Sequence, residues 1–422
     1  MKSSTGNMAR GAAVRAARGR PFDATPRPER NKRKLISSAA IGSANRGRVL
    51  KLLFDLGPTS RAELARHVGV NRATISGIIQ PLLDQGLLAE GDPLRPSEGG
   101  GKPAKPLWFS DDAPPICAVQ LMHDAVHTAL VSLSGAIAAE STARFPANGC
   151  SVERIMDLLA RCMTKTLAGN ARKPLGIGVA AAGMVDTDHG AIVTVNLAPM
   201  LDGFPIGPEL TKRFGLPACV DHHPRALLVG DRWFGLGRGR RRFAVIYTGE
   251  VLGGALLLDD HLYRGPGGAG GELGHTFVQV DGAECRCGRR GCWETIATLG
   301  WLRREAAASG LPSPENLDSR RLVELAAASA PKAVALLDRY ARNIAIGIAN
   351  LQQTMAPGYI VIHGDVVGGG QPLLEAIAEH VRRLVPSRPG GEIELVLGDL
   401  ADEAALRGAA GLVLSELLHF EL

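Results

Sequence analysis

Aromatic residues and long apolar runs are scarce in this 422-residue chain. Each absence argues against one class of protein. Aromatic residues make up only 4% of the chain, which disfavours an all-β sandwich with an aromatic core. No run of about 18 apolar residues occurs, so the sequence predicts no membrane-spanning helix. The N-terminal segment lacks the apolar stretch of a secretory signal, and we expect a cytosolic protein. The abundant features are 45% hydrophobic residues and 52 glycines, a mixture typical of α/β layers joined by tight turns.

Cysteine is also sparse, and its distribution is uneven. The chain has seven cysteines, an odd number, and in a reducing cytosol a cluster of thiols indicates a metal site before it indicates a disulfide. Three of the seven cluster as Cys285, Cys287 and Cys292, and the remaining four are scattered.

Positive charge is concentrated at the N-terminus. Residues 1–48 hold 12 Lys and Arg against 2 Asp and Glu, whereas residues 111–422 hold 29 against 34. Residues 1–44 also lack an apolar period, and we predict a disordered basic arm. Such an arm either contacts nucleic acid or is simply a solvated tail.

Residues 45–110 predict a small helical unit with a hairpin. Apolar residues from Val49 to Leu56 share one helix face. Ser60 and Glu63 form a capping box that begins a second helix, and Asn71 is a good N-cap for a third. Two helices joined by a short glycine-containing turn are typical of a helix-turn-helix, and two short strands at 87–90 and 106–109 add a wing.

The N-terminal end of the third helix would enter the DNA major groove. Arg pairs with guanine and Asn with adenine through two hydrogen bonds each. The glycine-rich wing tip would place Lys102 against phosphate. The alternative is a helical module that docks another protein. We predict DNA-binding residues at Asn71, Arg72, Thr74, Ser76 and Lys102.

Residues 111–422 predict a larger α/β body, and the prolines at 114 and 115 suggest a hinge before it. Buried strands run into glycine turns at 176–183 and at 359–364, and a long helix is expected at 332–355. Apolar strands alternating with helices predict a layered α/β architecture.

The strongest chemical signal lies in residues 270–294. His275, Cys285, Cys287 and Cys292 supply one imidazole and three thiolates, a set that forms a closed tetrahedral, structural zinc site. The second ring nitrogen of His275 is then free to face a ligand pocket.

Two carboxylates flank the metal set. Glu272 and Glu294 lie close enough in sequence to line the same pocket, and carboxylates that accept hydrogen bonds suit a polyhydroxyl ligand. Solvated surface glutamates are the alternative interpretation.

These motifs resemble those of the ROK family of repressors, uncharacterised reading frames and sugar kinases, and they are most similar to its transcriptional repressors. The resemblance covers residues 45–422 and rests on E-x-G-H and C-x-C-G-x-x-G-C-x-E at 272–294, with support from G-I-G-V-A-A-A-G-M-V-D at 176–186. It implies an α/β protein in which a winged helix-turn-helix (45–110) precedes a two-lobed, actin-like (RNase H-like) ROK domain (111–422). It also implies a sugar held by Asn196, Glu272 and Glu294, zinc-bound His275 touching that sugar, and a homodimer or homotetramer.

Departures from the family's kinases argue against phosphoryl transfer. Kinases of the family carry an Asp-x-Gly-Gly-Thr phosphate loop, whereas the matching residues 119–123 read V-Q-L-M-H and lack the glycines that let backbone approach phosphate. The resemblance also places His223 where those kinases have a catalytic Asp. A second glycine loop at 248–254 survives, and we interpret it as a relic of the fold. His222, His223 and Arg225 suggest in addition an anionic effector, such as a sugar phosphate or a sugar acid.

The sequence therefore predicts a sugar-responsive DNA-binding regulator, with repression as the output implied by the family. Two protomers would bind a pseudo-palindromic operator, and an effector in the cleft would alter the angle between the lobes. An active sugar kinase carrying a DNA-binding head, and a DNA-binding protein without a ligand, stay open as alternatives.

Overall fold

The computed structural model describes most of the chain. The described residues are 38–92, 104–146, 149–387, 391–398 and 403–417. Two compact units divide the chain, residues 1–42 and 43–422. Of the first unit only residues 38–42 are described, and they are helical, so the disorder predicted for residues 1–44 is wrong from Ser38 onward. The rest of that predicted arm lies outside the described residues.

Residues 45–110, called the head below, contain three helices and a small sheet. The helices are α1 (Ser38–Leu56, which begins before the head), α2 (Arg61–Val68) and α3 (Arg72–Asp84). The strands are β1 (Thr59–Ser60), β2 (Leu88–Glu90) and β3 (Pro106–Phe109), ordered β1-β3-β2 and all antiparallel. The hairpin tip at 93–103, with Lys102, lies outside the described residues.

Side-chain caps set the helix starts in the head. The Ser60 hydroxyl accepts the Glu63 amide at 3.2 Å, and the Asn71 side chain accepts the Thr74 amide at 2.8 Å. Each cap satisfies an amide that has no partner within its helix. Gly69 ends α2 in the left-handed region with φ 74°, which glycine adopts without steric cost. The two predicted helix starts are confirmed.

The first lobe of the body, called the N-lobe, has a five-stranded sheet. Its order is β10-β7-β4-β5-β6, with β7 parallel to both β4 and β10. A Cβ atom on Gly178 would overlap the Ala409 carbonyl, so glycine here lets the last helix of the chain lie directly on β7. The elements are β4 (Ile116–Leu121), β5 (Ala125–Val131), β6 (Ile137–Arg144), α4 (Val152–Leu167), β7 (Ile177–Ala181), β8 (Met184–Asp186), β9 (Ala191–Thr194), α5 (Ile206–Phe214) and β10 (Ala218–His222).

The second lobe, called the C-lobe, also has a five-stranded sheet. Its order is β13-β12-β11-β14-β15, with β11 parallel to β14. Helix α6 (His223–Phe234) connects the two sheets, and α11 (Glu403–Leu417) returns to the N-lobe. The remaining elements are β11 (Phe243–Thr248), β12 (Gly253–Leu258), β13 (His261–Leu262), α7 (Leu299–Ser309), α8 (Ser319–Ala327), α9 (Pro331–Met355), β14 (Tyr359–Gly364), α10 (Asp365–Leu384) and β15 (Glu394–Leu397).

The head and the body share one hydrophobic core. Leu53 and Ile75 of the head belong to the same buried cluster as Ile116 and Trp233 of the body. Residues 43–422 are one compact unit, so the proline segment at 114–115 does not separate two independent units. Within the described residues, no helix combines the length and the apolar character needed to cross a membrane.

Candidate functional site

A cavity of about 410 Å³ lies where the two lobes face each other. Its volume falls within the range of roughly 300–1,000 Å³ that is usual for small-molecule sites. The walls come from the ends of β4 and β10, the start of α6, the loop after β9, and the 3-10 turns around residues 273–275 and 293–295. The structure brings all five predicted effector residues to this cavity: Asn196, His223, Glu272, His275 and Glu294.

The junction between β10 and α6 positions two histidines. The Asp221 carboxylate accepts the His222 amide at 2.7 Å and thereby fixes the turn from strand to helix. His223 is buried, its Nε2 lies 3.2 Å from Gln120 Nε2, and its ring meets the Tyr247 ring edge-on at 4.8 Å. His223 is thus held in one orientation at the cavity wall.

Two buried polar atoms of the cavity face each other without a hydrogen-bond partner among the described residues. They are His222 Nδ1 and Glu272 Oε1, which lie 4.0 Å apart. Burial, assisted by the Arg225 cation, holds the pKa of His222 well below its ordinary value, which favours the neutral form of its ring. Burial also raises the pKa of Glu272 against the opposing effect of Arg225. A ligand hydroxyl that donates to one atom and accepts from the other would satisfy both.

Arg225 is not available to a ligand, which corrects one part of the sequence analysis. Its side chain is 1% exposed and is not part of the cavity wall. The guanidinium donates from Nε to Asp221 at 2.5 Å and from Nη1 to the carbonyls of Gly268 and Gly270 at 3.0 Å each. Three groups suggested an anionic effector. Two of them, His222 and Arg225, offer it no positive charge, because the neutral form of His222 is favoured and Arg225 is turned into the protein.

Asn196 lies on a loop that is tied down at its base. The Asp202 carboxylate accepts the Val195 amide at 2.7 Å and the Thr194 hydroxyl at 3.3 Å. A Cβ atom on Gly183 would overlap the Thr194 carbonyl, so this glycine lets the two loops touch. The exposed Asn196 side chain is therefore presented to the cavity from a fixed backbone.

The predicted metal ligands converge. The donor atoms of His275, Cys285, Cys287 and Cys292 all lie within 4.8 Å of one another. Cys285 Sγ is 3.6 Å from His275 Nδ1, and Cys287 Sγ is 3.7 Å from Cys292 Sγ. A tetrahedral zinc with Zn–S bonds of about 2.3 Å has ligand-to-ligand edges of roughly 3.5–3.8 Å. The donor set and its spacing fit zinc.

Two of the three thiols of this cluster, Cys285 and Cys292, resist ionisation unless a cation is present. Burial is the main cause that raises the pKa of Cys292 to about 12 and also raises the pKa of Cys285. A bound divalent ion reverses this preference, because thiolates are its ligands. The four ligands predicted for a zinc site thus lie together in the structure as a cluster that could hold a metal ion.

The metal cluster is joined to the cavity through Trp293 and Glu294. The Trp293 indole donates to the Asn343 carbonyl at 2.9 Å, and a Cβ atom on Gly347 would overlap its ring. Next to it, Glu294 Oε2 lies 3.7 Å from His275 Nδ1, and burial raises the pKa of Glu294 to about 7. The core contact of Trp293 with α9 thus fixes both a metal ligand and a cavity carboxylate.

Several side chains of the cavity were not predicted from the sequence. Met122 and His123 follow β4, and Tyr247 is the next-to-last residue of β11. Arg286 and Arg289 also line the cavity and stand between metal ligands in the sequence. Their position beside the cysteines was a usable signal, whereas nothing in the local sequence marks Tyr247.

The predicted base-reading residues lie at the first turns of α3. Arg72, Thr74 and Ser76 are exposed, and Ile75 between them is buried. Asn71 Oδ1 accepts both the amide and the hydroxyl of Thr74, at 2.8 and 3.0 Å. The oxygen of Asn71 therefore caps the helix and engages the hydroxyl of Thr74, whereas Arg72 and Ser76 are exposed beside them.

Known proteins match this chain over most of its length. A model of the ROK family matches residues 117–416. The xylose repressor of Caldicellulosiruptor bescii is 27% identical over 387 residues, covering 88% of this chain and 96% of its own length.

Two solved structures have folds similar to that of this chain. A ROK family transcriptional regulator, a homolog of the E. coli Mlc protein, has a TM-score of 0.75 at 24% identity, covering 90% of this chain and 99% of its own. A ROK family glucokinase from Streptomyces griseus, solved with glucose and AMPPNP, has a TM-score of 0.62 at 26% identity, covering 70% of this chain and 98% of its own. These matches confirm the expected actin-like α/β body.

Proposed function

The chain belongs to the ROK family, and we propose that it is a sugar-responsive, DNA-binding transcriptional repressor that binds its effector without phosphorylating it. The observation that supports this proposal is that one chain contains both a head suited to DNA and a cavity suited to a sugar. A head with an exposed, capped α3 is joined to a cavity lined by carboxylates, an amide and a neutral imidazole.

The head supports DNA binding as a winged helix-turn-helix. Helices α2 and α3 meet at the left-handed Gly69, and α3 presents Arg72 and Ser76 to solvent. An arginine at such a position reads guanine through two hydrogen bonds. Lys102, in the hairpin between β2 and β3, would contact phosphate, which adds affinity without sequence preference. Two heads in a homodimer or homotetramer would read a pseudo-palindromic operator.

The cavity supports a polyhydroxyl ligand. Glu272 and Glu294 can accept hydrogen bonds, and Asn196 offers both a donor and an acceptor. His222 Nδ1 has no hydrogen-bond partner among the described residues. A sugar presents hydroxyls that do both. A xylose repressor is among the chain's relatives, and a related glucokinase was solved with glucose, so D-xylose and D-glucose are the first ligands to test.

The metal cluster would hold a structural zinc. Four protein ligands close the coordination sphere, which leaves no position for a reacting water. The ion would fix the loop of Cys285 and Cys287 against the turn that carries Glu294. It would also set the orientation of the His275 ring at the cavity.

Three features argue against phosphoryl transfer. His223 stands where kinases of the family are expected to carry a catalytic Asp, and its partner at the end of β4 is the neutral Gln120. The residues at 119–123 have no glycine. In the surviving loop at 248–254, Glu250 forms an ion pair with Arg303 at 2.5 Å, which engages this arginine with a carboxylate and not with a nucleotide phosphate.

A sugar kinase with an attached head is the second candidate, since the glucokinase match and the loop at 248–254 favour it. One experiment separates the candidates. Duplex DNA is selected by the purified chain from a random pool, and its affinity is measured with D-xylose, D-glucose and their phosphates, while ADP release is followed with ATP present.

A sugar that weakens DNA binding without ADP release supports the proposed repressor. Rapid ADP release that depends on sugar supports the kinase instead. The chain could also select a specific duplex whose affinity none of these sugars changes. That result would support a DNA-binding protein without a ligand and would contradict our proposal.

A further inference from the structure

Helix α6 extends from the cavity to the head. Its first residues, His223 and Pro224, line the cavity, and residues 223–233 are all buried. Twelve residues at about 1.5 Å each make the helix roughly 18 Å long. A displacement at its first turn therefore reaches the far end through one continuous element.

An ion pair joins the far end of α6 to the head. Arg232 is 1% exposed, and its Nη1 and Nη2 donate to the two carboxylate oxygens of Asp55 in α1 at 2.7 and 3.1 Å. Such a two-pronged pair fixes orientation as well as distance. In the preceding turn of α1, Lys51 pairs with Asp260 of the β12–β13 turn at 2.5 Å, and Arg232 Nη2 lies 3.6 Å from the same carboxylate.

Aromatic packing surrounds this ion pair. The Phe54 ring lies 4.7 Å from the Trp233 ring of α6 and 4.0 Å from the Phe109 ring of β3. The Phe54 carbonyl accepts a hydrogen bond from Arg238 Nε at 2.9 Å. Both α1 and the wing strand β3 are thereby held to the end of α6.

The flanks of α6 leave it little freedom to bend. Asp231 Oδ2 lies 2.8 Å from His363 Nε2 of β14 in the C-lobe. A Cβ atom on Gly230 would overlap the Ala404 carbonyl, so α11 lies directly against the helix. Close packing of this kind transmits displacement instead of absorbing it.

The contact between the head and the N-lobe is looser. A partly open cavity of about 240 Å³, lined mostly by apolar residues together with Arg46 and Gln85, lies between them, and the packing there is less close than in a typical protein interior. Leu82 and Leu87 line it from the head, and Leu133, Leu175 and Leu414 line it from the body. The head can shift against this side at a lower cost than against the end of α6.

We propose that α6 couples the cavity to the DNA-reading head, and that Arg232 and Asp55 are the positioning residues that make the head follow it. A ligand that moves the first turn of α6 then reorients α3. By reciprocity, DNA bound at α3 alters the cavity. This inference rests on the proposed DNA-binding function, and DNA serves as the probe because it does not require the sugar to be known.

The test is hydrogen exchange on the full chain, with and without the duplex selected from a random pool. In the unsubstituted protein, we expect DNA to change the exchange rates of the cavity segments 194–197 and 222–226 by about fivefold or more. Asp55→Glu, which keeps the charge, should preserve this response. Asp55→Asn should bind the duplex and lose the response.

Asp112→Asn is the matched control. Asp112 is a solvent-exposed acid whose nearest charged partner is Arg172 at 3.6 Å, so the substitution makes the same charge change without touching α6 and should behave as the unsubstituted chain. If Asp55→Asn unfolds the head, Arg232→Lys replaces it, since lysine keeps the charge and loses the two-pronged geometry; it should weaken the response.

The outcomes are distinct. If the unsubstituted chain binds the duplex and its cavity segments do not respond, or if the response survives both Asp55→Asn and Arg232→Lys, the coupling role of α6 is wrong and DNA binding stands. If no duplex is selected at all, the proposed function fails, and the inference fails with it.

Discussion

Substituting Cys287 tests the metal site with the least damage to the core. Cys292 and Cys285 are buried, whereas Cys287 is half-buried, so Cys287→Ser changes a ligand while leaving the packing nearly intact. Structural zinc binds with about 10–16 kcal/mol of apparent free energy. Divided equally among four ligands, this binding free energy is roughly 3 kcal/mol per ligand. The loss of one ligand then corresponds to about a hundredfold increase in zinc Kd. We expect that loss, accompanied by weaker sugar binding because His275 is no longer held.

The assay is a competition titration against a chromophoric zinc chelator, with the metal content of the purified chain measured in parallel. Cys219→Ser is the control, since Cys219 is a half-buried thiol of β10 outside the cluster, and its zinc affinity should match that of the unsubstituted chain. An unchanged zinc affinity in Cys287→Ser, or an equal loss in both variants, would refute the assignment of the site.

Three further substitutions have defined outcomes. Arg72→Ala should weaken specific duplex binding by about 1–3 kcal/mol and relax selectivity at one base pair, measured by fluorescence anisotropy; equal loss with the body-surface variant Arg321→Ala would contradict this. Gly347→Ala inserts a methyl group against the indole that follows a metal ligand; it should cost roughly 1–3 kcal/mol of stability, seen as a lower urea midpoint, and an unchanged midpoint would contradict the packing argument. Asn196→Ala should weaken sugar binding about tenfold by calorimetry, with Asn316→Ala as the exposed control that leaves it unchanged.

The local structure of the head follows from its sequence. Ser60 and Asn71 each carry a side-chain acceptor next to an apolar stripe, and each caps a helix where the pattern predicts one. Such signals are read within four residues, so no knowledge of the tertiary fold is needed. Helix α1 already includes Ser38, although the lack of an apolar period in residues 1–44 had suggested no helix there.

The metal set was predictable for a different reason. Three cysteines within eight residues and a histidine ten residues before them restrict the chemistry to a few possibilities. The structure brings the four donor atoms together, as ligand spacing of this kind predicts.

The electrostatics of the cavity were not predictable from local sequence. His222, His223 and Arg225 look like a cationic group when written in a row, but a strand-to-helix junction turns them in different directions. Arg225 meets the buried Asp221 and two backbone carbonyls, and burial keeps His222 neutral. Residues distant in sequence determine both the orientation of Arg225 and the pKa of His222. Only the tertiary structure shows which residues these are.

The connection between the head and the cavity also depends on long-range contacts. Asp55 and Arg232 are 177 residues apart, and neither lies in a motif that marks a functional site. The expectation of a hinge at the prolines near residue 114 treated the head as a separate body. The shared core and the buried ion pair instead join it to α6.

The central claim is that a sugar in the cavity changes DNA binding and is not consumed. The most direct measurement follows the affinity for the selected duplex and the release of ADP in the same samples, which contain ATP and either D-xylose or D-glucose. We predict that one sugar raises the Kd for DNA about fivefold or more and is recovered chemically unchanged. Conversion of that sugar to its phosphate, at a rate that accounts for the ADP released, would contradict the account.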